Sequence, residues 1–176
     1  FGLCSFALSY LLLYCATLYS SAAMVTLIFS LKVMVTPLLI GRVFKTPISP
    51  RVYVGGVFGI VGVAVIVLPN LHALSHSFLI GLGLAVAGTL VTAVGDTLSY
   101  YNNQHHVEPI TANSIAMLTA LLVLAALTFA MGKPLHLPAS VHYWAGLLYL
   151  ALLGSFAAWL MYVYLIRSIG VVKGSY

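Results

Sequence analysis

At 176 residues, 62% of them apolar and 5% charged, with a mean hydropathy of +1.13, the chain is far too poor in charge for a soluble globular domain, where about a quarter of residues are charged. Its formal net charge of +5 would point to an anionic partner in a soluble protein, but here the basic residues flank apolar runs, where they set membrane orientation. The expectation is an all-α polytopic membrane protein that lies in the lipid bilayer and does not bind nucleic acid.

Six apolar segments follow one another: residues 1–19, 22–44, 52–69, 78–101, 111–131 and 143–166, each read as a membrane helix. The connections carry breakers, as in Lys45-Thr46-Pro47-Ile48-Ser49-Pro50, Gln104-His105-His106-Val107-Glu108-Pro109 and Gly132-Lys133-Pro134. In the first segment Tyr10, Tyr14, Thr17 and Ser21 form a mild polar stripe, and Cys4 and Cys15 read as small packing residues rather than a disulfide.

The second segment organises the rest, because it carries Lys32 near its middle. An ammonium at that depth costs ~2.5–3.5 kcal/mol on insertion scales, so it is expected to face protein or a wet cavity. Pro37 removes a backbone donor and clashes with the carbonyl of Val33. It is expected to kink this helix and act as a hinge, as in the broken helices of transporters. In the third segment Gly55, Gly56, Gly59 and Gly62 make a small-residue face with one GxxxG spacing. Close packing inside the bundle is expected there, with a homodimer seam as the alternative.

Thr89, Thr92, Asp96, Ser99 and Asn103 recur three and four residues apart and share one face of the fourth segment, aimed at a central cavity. Ser155, Trp159 and Tyr162 make a further stripe on the sixth. Counted from the outer helix ends, Lys32 lies ~15 Å deep and Asp96 ~27 Å deep, so a direct salt bridge between them would need tilt or water. The substrate path is read as Lys32, Asp96, Thr92, Ser99, Tyr14 and Trp159. No motif calls for a cofactor. Of the six histidines, His72, His76, His136 and His142 fall on one side of the membrane and His105 and His106 on the other, so no metal site is expected.

Arg42, Lys45 and Arg51 around one loop, and Arg167 and Lys173 after the sixth segment, place those ends in the cytoplasm; Lys133 lies opposite. Tyr100, Tyr101, Tyr143 and Trp144 fit the aromatic belts. Laying residues 1–20 over 151–170 matches Leu3, Ser5, Phe6, Ala7 and Tyr14 with Leu153, Ser155, Phe156, Ala157 and Tyr164. Five helices separate the copies, so they should point in opposite directions, as in the inverted repeats of secondary transporters.

Tyr19-Ser20-Ser21-Ala22-Ala23, then Pro47-Ile48-Ser49-Pro50-Arg51 with Gly55 and Gly59-Ile60-Val61-Gly62-Val63, then Trp144 to Ser155 and Ile169-Gly170, resemble the drug/metabolite transporter superfamily, and within it the EamA-type permeases. The resemblance implies ten helices in two inverted five-helix halves. Residues 1–76 would be the end of the first repeat, with three helices, and 77–176 the start of the second, with three helices and the beginning of a fourth. The chain, which starts at Phe1 and stops at Tyr176 as another span begins, is expected to be a fragment. The resemblance also implies outward movement of a small metabolite, amino acid or drug across the bacterial inner membrane. Two positions depart from the family pattern: Lys32 stands where proline is frequent, and Lys45 where glutamate is. The alternatives are a membrane enzyme using His72 and His76, or His105, His106 and Glu108 at an interface, and a non-transporting membrane subunit.

Overall fold

The computed structural model describes residues 1–67, 76–132 and 140–169. In chain order they form π1 (Leu3–Leu8), α1 (Ser9–Tyr19), α2 (Ala22–Ser30), α3 (Lys32–Phe44), α4 (Pro50–Val67), α5 (His76–Gln104), α6 (Pro109–Ala130), α7 (Val141–Tyr149), π2 (Leu150–Ala157) and α8 (Ala158–Ile169), with no strand among the described residues. His72, His136, Lys133 and Lys173 lie outside the described residues, as does the side chain of Arg167.

Local chemistry sets the boundaries. Ser21 is extended and its hydroxyl accepts the Met24 N–H at 3.2 Å, capping α2. Pro109 opens α6 at a position where a missing N–H costs nothing. Lys45 closes α3 in the left-handed conformation, φ 53°. Inside the helices, the hydroxyls of Thr89, Thr92, Thr97, Thr119 and Thr128 donate to carbonyls one turn back, so these residues add no unpaired polarity to an apolar surface. The second apolar segment divides at Leu31, where the Leu31 N–H donates to the Ile28 carbonyl and the Met34 N–H to the Leu31 carbonyl, a tightened turn directly before Lys32. Pro37 itself sits buried inside α3, so the interruption lies N-terminal of the ring, on the side where the ring clashes with the preceding turn.

Glycines weld α5 to the start of the chain. A Cβ on Gly81 would strike Ala16 and Ser20, one on Gly88 would strike Leu12 and Leu13, and one on Gly95 would strike Ser5. Rising numbers on α5 meet falling numbers on α1 and π1, so the two are antiparallel. On α3 the order is the same as on α5: Lys32 and Thr36 meet Asp96, and Phe44 packs edge-on to Tyr100. The first apolar segment is thus antiparallel to the second and fourth, as membrane segments that alternate in direction require. On α4 the expectation of close packing fails for two glycines, because Gly56 abuts Met34 while Gly59 and Gly62 face open space. That helix lies at the rim, with Val52 and Gly56 as its buried positions among the described side chains.

Four helical stretches, Ala22–Phe44, His76–Gln104, Pro109–Ala130 and Val141–Leu165, are long and apolar enough to cross a membrane, and Leu3–Tyr19 and Pro50–Ile66 are shorter apolar helices. Only 6% of the most apolar window of Val141–Leu165 is buried, at a hydropathy of 1.8. Such a surface demands an apolar solvent, and its backbone satisfies the same demand by bonding to itself.

Candidate functional site

The π1 and π2 segments fall on the two copies of the internal repeat, with Leu3, Ser5, Phe6 and Ala7 in one and Leu153, Ser155, Phe156 and Ala157 in the other. The wider turn adds a residue to the helix and frequently marks a functional position. The copies also touch. The rings of Phe6 and Trp159 are 5.4 Å apart, and Phe1, one and a half turns earlier, lines one cleft with Val163, one turn later. Falling numbers on one helix meet rising numbers on the other, so the copies run antiparallel.

Beside this crossing lies the ion pair. Lys32 Nζ stands 3.4 Å from Asp96 Oδ2, a direct contact that corrects the depth argument. The outer ends of the two helices are not level, because Gly81 and not Phe78 lies beside Ser20. Measured from there, Asp96 is ~22 Å down and Lys32 ~15 Å down, and the lysine's flexible four-carbon stem closes the remainder. Thr36, one turn beyond Lys32, donates its hydroxyl to the same carboxylate oxygen at 3.1 Å. Asp96 Oδ1 is buried without a hydrogen-bond partner among the described residues. Three rings surround the ammonium, Phe29 at 5.2 Å and Trp159 and Tyr162 at 5.6 Å, each within cation–π range.

The expected path residues do not all converge. Lys32, Asp96 and Trp159 form one cluster. Thr92 is a turn away on α5, buried, with its hydroxyl spent on the Gly88 carbonyl at 2.8 Å. Ser99 lies a turn the other way and lines a narrow cleft with Asn102, Asn103 and Asn113. Tyr14 is 70% exposed and lines a groove of ≈ 220 Å³ between α1 and α2, which reaches the cluster through Phe29. Sequence reasoning missed Phe29, Thr36 and Asn113. The first two share the face of Lys32 at the i−3 and i+4 positions and were findable by spacing. Asn113, 1% exposed with both amide atoms unpartnered among the described residues, gave no such signal. His76, His105, His106 and Glu108 are exposed, and Glu108 accepts from Thr111 and Tyr164.

Residues 77–176, more than half of the chain, match the family described as EamA-like transporters. The chain belongs to the EamA-like transporter family. It is therefore a member of the drug/metabolite transporter superfamily and an integral multi-pass membrane protein, and the members of that family are transporters rather than enzymes. No curated protein and no solved structure matches it. Within the EamA-like match lie Asp96, Thr92, Ser99, Trp159 and Tyr162; Lys32, Phe29, Thr36 and Tyr14 lie before it. The ion pair thus joins the matched and the preceding part of the chain.

Proposed function

We propose that the protein is a secondary transporter that moves a small metabolite, amino acid or drug outward across a bacterial inner membrane by alternating access. The path runs past Lys32, Asp96 and Trp159, is continued by Tyr14 and Thr92 on one side and by Ser99 on the other, and flexes at Pro37 and the Leu31 turn. The observation that carries this reading is the Lys32–Asp96 pair itself, because charges inside an apolar bundle are expensive and are kept where ions or polar substrates pass. Its place beside two antiparallel π-helical segments of similar sequence supports a ten-helix inverted repeat with a site at the repeat interface. The family match, which begins at Ser77, supports a division of the repeats near residue 77.

Purified protein in liposomes, tested for uptake and efflux against a panel of metabolites and drugs, checks the reading. Saturable transport of at least one compound is expected, and it should fall at least tenfold in Lys32→Met/Asp96→Asn. Well-folded protein that moves none of the panel would overturn it.

A further inference from the structure

Resting on the reading of this cluster as a substrate path, we infer that the site takes a monocarboxylate with an apolar body and carries one proton with it, held on Asp96. Of the two charges only the lysine can be reached, since its side chain is 20% exposed and that of Asp96 0%. An incoming group therefore meets a positive charge first. Phe29 links that charge to a place for carbon: its ring stands 5.2 Å from Lys32 Nζ and also lines the ≈ 220 Å³ groove with Leu13, Tyr14 and Val25. The hydroxyls of Thr17 and Thr26 on the same groove are turned to the Tyr14 and Ala22 carbonyls, so the groove offers apolar surface. A carboxylate on Lys32 with its apolar body lying along Phe29 fits both features.

Charge balance supplies the proton. Two carboxylates on one ammonium would leave an uncompensated negative charge inside the bundle, which burial strongly disfavours. Asp96 Oδ2 already holds Lys32 and Thr36, whereas Oδ1 is buried and unpartnered among the described residues, and is the open position for a proton. On loading, one proton from that side of the membrane binds Asp96 and makes it a neutral acid, and Lys32 passes from Asp96 to the ligand's carboxylate. On release the carboxylate leaves, the proton follows, and the ion pair re-forms. Loaded and empty sites carry the same net charge. Among the described residues the titratable groups facing this point are Lys32 from α3 and Tyr162 from α8, while π1 contributes Ser5 through its contact with Gly95.

The sequence has two tryptophans, so Trp144→Phe leaves Trp159 as a fluorescent reporter beside Lys32. In the intact protein with that change, 3-phenylpropanoate should quench Trp159 saturably, with affinity rising about tenfold for each unit fall between about pH 8 and pH 6, as one linked proton requires. Calorimetry in buffers of different ionisation heat should give about one proton taken up per ligand. Asp96→Asn should bind 3-phenylpropanoate with no proton uptake and no pH dependence, Lys32→Arg should keep binding, and Lys32→Met/Asp96→Asn should lose it. The inference is overturned if 3-phenylpropanamide or 3-phenylpropylamine binds as tightly, if phenylalanine binds more tightly, which would make Asp96 an ammonium acceptor, or if Asp96→Asn still takes up the proton. Transport of other compounds without 3-phenylpropanoate binding sinks this inference alone; binding without transport of anything sinks the transporter reading alone.

Discussion

Lys32 shows how one side chain constrains its neighbours. From the sequence, Lys32→Met is expected to remove transport without loss of expression, since methionine keeps the length and apolar bulk. The direct pair changes that expectation, because the substitution strands a carboxylate whose side chain is wholly buried. Removing one partner of a buried pair costs ~3–5 kcal/mol, and the partial exposure of Lys32 places the cost near the low end. Lys32→Met is therefore expected to lower thermal stability in detergent markedly, and Lys32→Met/Asp96→Asn to recover most of the loss. Equal stability of the single and double variants would show that the two charges are not coupled. Thr36→Val preserves shape and deletes the donor to Asp96 Oδ2. A hydrogen bond to a charged group is worth ~1.5–3 kcal/mol in water-soluble proteins and hydrogen bonds between membrane helices average ~0.6 kcal/mol, so a loss of about 1 kcal/mol is expected in a denaturation series.

At the scale of elements, small residues act where helices touch and are silent where they do not. A Cβ on Gly95 would press on the backbone of Ser5, which cannot swing aside as a flexible side chain can. Gly95→Ala is accordingly expected to destabilise the protein by ~1–3 kcal/mol, the cost of overpacking. Gly62→Ala meets nothing within 4 Å and is expected to be neutral. Melting temperatures of the two variants in the same detergent test the contrast, and equal shifts would refute the π1–α5 seam. The GxxxG spacing on α4 gave no warning of this difference, because spacing identifies a face of a helix but not whether another helix reaches it.

The whole molecule is a set of helices alternating in direction, which makes its loops predictable. The turn after α3 and the turn after α5 must share one side of the membrane, and the basic residues Arg42, Lys45 and Arg51 predict that this side is the cytoplasm. With Cys4 and Cys15 replaced by alanine, Thr46→Cys and His105→Cys should react with an impermeant maleimide from the cytoplasmic side, and Ser21→Cys and Ser140→Cys from the other. Labelling of Thr46→Cys and His105→Cys from opposite sides would refute the alternating arrangement.

The solvent of this protein and the division of the chain into segments follow from its residues alone. Charge is so scarce that each long apolar run must be a helix satisfying its own backbone, and Lys32 and Asp96, the charged residues deepest within those runs, stand out without any structure. The sequence also held the repeat, since Leu3, Ser5, Phe6 and Ala7 match Leu153, Ser155, Phe156 and Ala157. What it could not give was vertical register. Helix periodicity fixes which residues share a face, yet says nothing about how far one helix slides along another, and that sliding is set by where Gly81, Gly88 and Gly95 allow π1 and α1 to approach α5. Only the tertiary structure could therefore decide that Lys32 reaches Asp96, that Phe29, Trp159 and Tyr162 enclose its ammonium, and that Tyr14 and Ser99 stand apart from the pair. Contacts between helices arise from packing depth, a quantity that no single helix encodes.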